Sequence, residues 1–412
     1  MQNTAIQTKS MVIEEGAGIA PSFDSNDVFR LTASLFADEM ARRTKRAPAA
    51  HDQLSWTRET LIDEDGLGFD SLARLDAAIR INRFFHLHEV GFEDYLLLEK
   101  TLGGWCAIIE RSLVIRHERV TFQTSGSTGK PKEVEHVLAD LHAEIGLQAD
   151  LFANRRRIVA LVPPHHIFGL LTTVLLPKAL NLPIVDARAW GPGAWNRDLA
   201  PGDLVVATPF LWGVLERGLR TLPNDVMGVT STAPMSGALA TALIERGLSD
   251  LIELYGSSET AGVGHRSVRE QAFTLFRHLS FDGTSVLRDG VPLPLQDHLD
   301  WHSSDSFTPA GRKDRAFQVG GVNVHPDHVE DVLRRSPLVA DCAVRLSNDG
   351  QDDGRGRLRA FIVLSEQDSD KDSARDGLDA HCRAHLQAVE RPCEFSIGAV
   401  LPRDSHGKLR DW

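Results

Sequence analysis

Apolar positions in the first quarter of the chain recur at helical spacing. Val28, Leu31, Leu35, Phe36 and Met40 lay one stripe along a predicted helix, with the capping residues Ser25-Asn26-Asp27 in front of it. Arg42, Arg43, Lys45 and Arg46 stand at its end, where cations suit a helix C-terminus, and Pro48 follows. Leu72, Leu75 and Ile79 predict the apolar face of another helix, opened by Asp70-Ser71. Beyond residue 112 the pattern changes. Short apolar runs (residues 113–120, 158–162, 203–207 and 228–230) alternate with helical stretches such as 137–153, which predicts an α/β fold with buried strands. The longest apolar stretch, residues 167–185, is interrupted by Pro177, Lys178, Asn181 and Pro183. It therefore predicts a buried helix and not a membrane span. Residues 1–24 show no period and read as a loose tail.

Length 412 allows about three domains, and a 42% hydrophobic, 25% charged composition suits a soluble globular protein with a large core. The net charge of −12 argues against nucleic acid or an anionic membrane as general partners, so any phosphate must be held by local loops. Cys106, Cys342, Cys382 and Cys393 have neither metal-ligand nor disulfide-framework spacing. With no basic start and apolar run at the N-terminus, a reduced, cytoplasmic setting is expected.

The stretch with the clearest chemistry is Thr124-Ser-Gly-Ser-Thr-Gly-Lys-Pro-Lys132, directly after the β-prone Val120-Thr-Phe-Gln123. Gly126 and Gly129 let the backbone turn several N–H groups toward one point. Thr124, Ser125, Ser127 and Thr128 add hydroxyls, and Lys130 and Lys132 add positive charge. Such a loop is built to hold phosphate. It is not a Walker loop, because Pro131 follows Lys130 and no Gly stands five residues before Gly129.

This loop resembles the phosphate loop of the adenylate-forming ligases, the superfamily of acyl- and aryl-CoA ligases and peptide-synthetase adenylation domains. Further matches follow in the family's order. Leu254-Tyr-Gly-Ser-Ser-Glu-Thr260 is similar to the family's Tyr-Gly-x-Thr-Glu, which implies nucleotide contacts for Tyr255, Gly256, Ser257 and Ser258 and an Mg²⁺-holding role for Glu259. That role suits a hard cation shared with phosphate oxygens. Gly228-Val-Thr-Ser-Thr-Ala-Pro-Met-Ser236 resembles the segment lining the adenine pocket, with Ser231, Thr232, Ala233 and Pro234 at the turn. Pro163-Pro-His-His-Ile-Phe-Gly169 puts His166 where the family has a histidine near the carboxylate substrate, and leaves His165 as a structural histidine. Asp305, in Trp301-His-Ser-Ser-Asp-Ser-Phe307, stands for the ribose-binding aspartate. Gly311-Arg-Lys-Asp-Arg315 resembles the interdomain junction, with Arg312 near ribose or phosphate and Asp314 as the hinge. Gly320 and Gly321 match the loop lining the tunnel of the thiol acceptor, and Lys408, in Leu401-Pro-Arg-Asp-Ser-His-Gly-Lys408, matches the catalytic lysine. The charged stretch 365–377 is expected to be a solvated loop.

The resemblance implies ATP and Mg²⁺ as cofactors and activation of a carboxylic acid as its acyl-AMP, followed by transfer to a thiol. The core is preceded by only about 120 residues and is expected to be shortened. A second resemblance covers those residues: residues 54–108, with Leu67-Gly-Phe-Asp-Ser-Leu72, resemble an acyl carrier protein, whose pantetheine would sit on Ser71. The expected order is a tail (1–24), a helical carrier-like segment (25–112), an AMP-binding core (113–311) and a small mobile α+β domain (312–412). The compact outline is similar to the ligases of aryl polyene clusters, which load a hydroxybenzoate onto an acyl carrier protein. Free coenzyme A as acceptor and a catalytically silent pseudo-ligase are the alternatives.

Overall fold

In a computed structural model, the structure describes residues 22–44, 46–124, 132–313, 317–319, 322–347, 357–365 and 370–402. The N-terminal helices are α1 (Ser25–Thr44), the short α2 (Ala50–Leu54), α3 (Ser71–Phe85) and α4 (Leu102–Ile115). Asp24 caps α1, its carboxylate accepting from the Asn26 and Asp27 amides at 2.9 and 3.0 Å. The predicted stripe Val28, Leu31, Leu35 and Phe36 is buried. The face predicted for α3 is the wrong one, since Leu72 is 64% exposed and Leu75 and Ile79 are also open. α3 instead buries Ala73, Ala77 and Ala78 beside Ile81, Phe84 and Phe85. Alanines let it lie close to its neighbours, and Phe84 meets Phe122 edge to face at 5.6 Å. Phe23, within the expected tail, is buried against Phe85. Helices and sheet share one core: Phe36, Phe84 and Trp105 belong to the same buried cluster as Phe122, Ile158, Val229 and Phe307.

α4 continues to Ile115, so the first strand begins later than residue 113. β1 (Arg119–Thr124) pairs antiparallel with β2 (Lys132–Val137), Thr124 opposite Lys132, so the phosphate-loop sequence joins the strands of a hairpin. α5 (Leu138–Leu151) follows. Then β3 (Arg157–Ala160), β4 (Ile184–Asp186), β5 (Asp203–Val206), β6 (Met227–Thr230) and β7 (Asp250–Ser257) form the parallel part of a nine-stranded sheet. Their connections carry α6 (Ile167–Leu170), α7 (Leu176–Leu180), α8 (Pro192–Asp198), α9 (Pro209–Gly218) and α10 (Gly237–Glu245). After β7 the sheet turns antiparallel through β8 (Ala261–Ser267) and β9 (Phe273–Leu275). A side sheet of β10 (Leu279–Phe281), β11 (Val286–Arg288) and β12 (Val291–Pro292) intervenes before β13 (Asp297–Trp301) and β14 (Ser306–Arg312) rejoin it. The order is β13-β14-β9-β8-β7-β6-β5-β3-β4.

The C-terminal residues have a separate core around Val329, Leu333, Leu358, Ile362 and Leu378. Its elements are the hairpin β15 (Phe317–Val319) and β16 (Val322–Val324), α11 (Pro326–Arg334), β17 (Val339–Leu346), β18 (Leu358–Leu364), α12 (Lys371–His385) and β19 (Glu394–Ile397). Half of the expected charged loop is thus helix. Ala374, Leu378 and Cys382, four residues apart, give α12 a buried stripe that outweighs its charges. Among the described residues no helix is long and apolar enough to cross a membrane.

Between α6 and α7, residues 171–175 form a π turn, so 167–180 runs on as one helix. Pro177 has no N–H for the carbonyl four residues earlier, that of Thr173. Arg30 of α1 donates to that carbonyl at 3.0 Å, satisfying what the proline leaves open. α1 is therefore part of how this helix is built.

Glu144 of α5 is buried, accepting from the Gly262 amide at 2.8 Å and the Gln148 amide at 2.7 Å. Burial raises its carboxyl pKa to about 7. The folded value lies above the unfolded one, so this group's destabilisation sets in as pH rises from about 4.5 to 7 and is complete above it. The full effect is about 3 kcal/mol at most. Glu144→Gln keeps an acceptor for Gly262 without the charge. Urea denaturation should show the variant gaining stability over wild type at pH 8 but not at pH 4.5.

Candidate functional site

The parallel strands β3, β6 and β7 end in the segments singled out from sequence: residues 163–166, 231–234 and 255–259. Ligands of α/β sheets collect at the carboxyl ends of their strands. Lys132, which opens β2, lies in the same region. Lys132 Nζ lies 3.7 Å from Glu259 Oε1, with Lys132 largely exposed and Glu259 mostly covered. His136, on the same face of β2, is buried and bonds the Ser258 carbonyl at 2.6 Å. A carbonyl only accepts, so His136 Nε2 carries the proton. Burial lowers the pKa of this imidazole, which favours the neutral form. His136 was not picked out from sequence, where one histidine in a strand carries no signal.

Glu259 sits in a turn tied by its own hydroxyls. Ser257 Oγ accepts from the Glu259 and Thr260 amides at 3.2 and 3.3 Å, and Thr260 Oγ1 accepts from the Ser257 amide at 3.0 Å. Gly256 is required here, because a Cβ would lie 2.1 Å from the Ala261 carbonyl oxygen. The Ser231–Pro234 turn is anchored to β7 by Ser231 Oγ, which donates to the Leu254 carbonyl at 2.9 Å. Thr232 is held at φ 81, and its buried hydroxyl has no partner among the described residues. A β-branched residue with positive φ costs of order 1–3 kcal/mol and marks functional turns. Ala233 is half-buried and Pro234 exposed beside it.

Tyr255 packs against Phe273 and Phe307, and its hydroxyl donates to Asp297 Oδ2 at 2.7 Å. Burial first, and the Asp297 carboxylate second, push the phenol pKa well up, so Tyr255 stays protonated. Asp297 is the register partner of Arg312 across β13 and β14. Asp305 is elsewhere: it lies exposed in the turn of this hairpin, accepting from Ser303 Oγ at 2.6 Å. Six strand residues, roughly 20 Å, separate that turn from Arg312. The carboxylate brought beside Tyr255 and Arg312 is thus Asp297. The shortened sequence puts a strand and a tight turn between it and the Gly311-Arg312 junction, and Asp297 carries no matching neighbours of its own.

His166 stands just before the helix that begins at 167 and is exposed, its ring 4.1 Å from that of His165. His165 is buried, with Nδ1 2.6 Å from Ser34 Oγ and Nε2 3.9 Å from Asp38 Oδ2. Burial holds its imidazole far below the usual pKa, so it is neutral at pH 7. Burial pushes the Asp38 carboxyl up, but the positive charge gathered around it, Arg80 and Arg42 included, more than offsets this. Arg80 pairs with Asp38, and Arg42 reaches both Asp38 at 3.3 Å and Gln123 of β1 at 3.1 Å. α1 and α3 therefore wall the site beside His166 and the strand feeding the phosphate loop. On sequence alone these charges look like solvated helix faces.

Ser71 is exposed at the start of α3, which Asp70 caps through the Ala73 amide at 2.7 Å. The backbone of Thr124 ends β1. Ser125, Gly126, Ser127, Thr128, Gly129, Asp314, Gly320, Gly321 and Lys408 lie outside the described residues.

Comparison with known proteins gives the family. The profile of the AMP-binding enzymes matches residues 120–295, and that of the AMP-binding enzyme C-terminal domain matches residues 328–408. The chain is 41% identical to a 4-coumarate–CoA ligase of Rhodobacter capsulatus, over 93% of this chain and 100% of that protein. It is 36% identical to a 4-coumarate–CoA ligase of Halorhodospira halophila, over 94% and 99%. Among solved structures, the o-succinylbenzoate CoA synthetase of Bacillus subtilis bound to a product analogue aligns with TM-score 0.61 at 16% identity. That alignment covers 93% of this chain and 91% of that one. With the α/β sheet, these matches show that the chain belongs to the AMP-binding enzyme family and is an AMP-forming acid–thiol ligase.

Proposed function

We propose that the protein activates a hydroxylated aryl carboxylic acid as its acyl-AMP and transfers the acyl group to coenzyme A. The observation that carries the first step is the meeting of Lys132 with Glu259, which joins the phosphate loop to the acidic turn. In that step the carboxylate oxygen attacks the α-phosphorus of ATP and pyrophosphate leaves with the bonding electron pair. Two anions must approach while negative charge builds on phosphorus. Lys132, Arg312 and the loop amides supply fixed positive charge for it, which is how phosphoryl chemistry is mainly accelerated. Glu259 fits Mg²⁺: it is a mostly covered hard-oxygen donor beside Lys132. Bound there, the ion would neutralise phosphate oxygens. Lys408 is assigned to the same half-reaction, Asp314 to the hinge, and Gly320 and Gly321 to the path of the thiol, all by sequence match. In the second step the thiol, losing its proton, attacks the acyl carbon and AMP leaves.

The aryl acid and coenzyme A are supported by relatives that align over their whole length and are named 4-coumarate–CoA ligases. A hydroxybenzoate is the competing aryl acid. A second reading keeps the acceptor on a carrier protein, and the exposed Ser71 beside the open apolar residues Leu72, Leu75 and Ile79 favours it.

Three measurements test these readings. Acid-dependent exchange of labelled pyrophosphate into ATP should appear with 4-coumarate above 4-hydroxybenzoate and aliphatic acids, and fall at least 100-fold in Lys408→Ala. Silence with every acid, despite ATP binding, would favour the pseudo-ligase. Asp297→Ala should raise the KM for ATP about 10- to 100-fold through lost charge-assisted hydrogen bonds, while Asp305→Ala leaves it within twofold; the reverse result would restore Asp305 as the ribose residue. Intact-mass measurement after incubation with coenzyme A and a phosphopantetheinyl transferase decides the carrier reading within this chain. It requires added mass on the wild type and none on Ser71→Ala, and an unmodified wild type removes it.

A further inference from the structure

The turn between β7 and β8 is held from outside as well as by its own hydroxyls. His136 Nε2 donates to the Ser258 carbonyl at 2.6 Å, Arg288 of β11 donates to the Thr260 carbonyl at 2.7 Å, and the Gly262 amide donates to Glu144 Oε2 at 2.8 Å. These contacts fall one residue before, one after and three after Glu259. The three side chains come from β2, β11 and α5, and none is near Glu259 in sequence. His136 and Glu144 are buried, at 4% and 1% exposure, so neither is a side chain that solvent would otherwise pair. Gly262 has no room for a side chain, because a Cβ there would lie 2.2 Å from Glu144 Oε1. Ala261, held at φ 56, makes the turn dependent on such support.

We infer that His136, Arg288 and Glu144 are positioning residues that fix the Glu259 carboxylate against the phosphate loop, with His136 coupling the two. β2 alternates its side chains, so Lys132 and His136 share one face. Lys132 reaches the Glu259 side chain and His136 grips the peptide just before it. A shift of the hairpin is thereby passed to the carboxylate through two contacts. Partners of this kind around a metal-holding carboxylate typically set metal affinity by 10- to 100-fold. The inference rests on the reading of Glu259 as the Mg²⁺-holding residue.

Isothermal titration calorimetry of the full chain with Mg²⁺·ATP, and with AMP as a ligand that needs no metal, separates the two. Glu259→Gln should weaken Mg²⁺·ATP at least tenfold and leave AMP within threefold. His136→Leu should do the same, about 10- to 100-fold for Mg²⁺·ATP, and His136→Gln, which keeps a side-chain N–H at similar reach, should recover most of the loss. Arg288→Met removes the donor to Thr260 and should act in the same direction if His136→Leu does not fold. Wild-type Mg²⁺·ATP affinity in His136→Leu or, failing that, in Arg288→Met, with Glu259→Gln impaired, overturns the inference. Equal losses for AMP and Mg²⁺·ATP do so as well, because they reveal general loosening. If Glu259→Gln itself binds Mg²⁺·ATP like wild type, the reading of Glu259 falls and takes the inference with it.

Discussion

Three backbone groups flanking Glu259 bond side chains in place of strand neighbours: the Ser258 and Thr260 carbonyls and the Gly262 amide. A covered polar group without a partner costs on the order of 1–3 kcal/mol, so the turn has its shape only when β2, β11 and α5 are all in place. That requirement ties the antiparallel hairpin, the side sheet and the first core helix to one point. Lys132 and Glu259 can then meet at 3.7 Å although more than a hundred residues separate them.

The N-terminal helices serve the same end by a different route. α1 gives Arg30 to the carbonyl that Pro177 leaves open, Ser34 to His165, and Asp38 to the charge cluster beneath His166. α3 adds Arg80 from its buried side and turns Leu72, Leu75 and Ile79 outward. α1 and α3 thus stand beside the candidate site, and the core of the N-terminal helices is continuous with that of the sheet.

Much of the candidate site was legible because it is local. The segment that follows β1, the Tyr-Gly-Ser-Ser-Glu run and the Gly-Arg junction are each recognised from adjacent residues. The position of Asp305 was hidden for the opposite reason. A Ser-Asp-Ser turn looks like a ligand-binding turn, whereas the cross-strand register sets Asp297, not Asp305, opposite Arg312. The Leu72, Leu75 and Ile79 stripe failed similarly. Periodicity shows that a face is apolar, but close packing of Ala73, Ala77 and Ala78 decided which face went inside.

By itself the sequence determined the α/β class, the positions of the strand-end turns, and the choice of Lys132, Glu259, Tyr255, His166 and Arg312 as candidates, since each follows from residues a few positions apart. Tertiary structure alone decided the partners of those residues: His136 on Ser258, Glu144 on Gly262, Asp297 on Tyr255, and Asp38 with Arg80 behind His165. Each of these joins segments dozens of residues apart. A charged or imidazole side chain has the same local pattern whether solvent or a buried peptide group receives it, and only the packing of the sheet against its helices makes that choice.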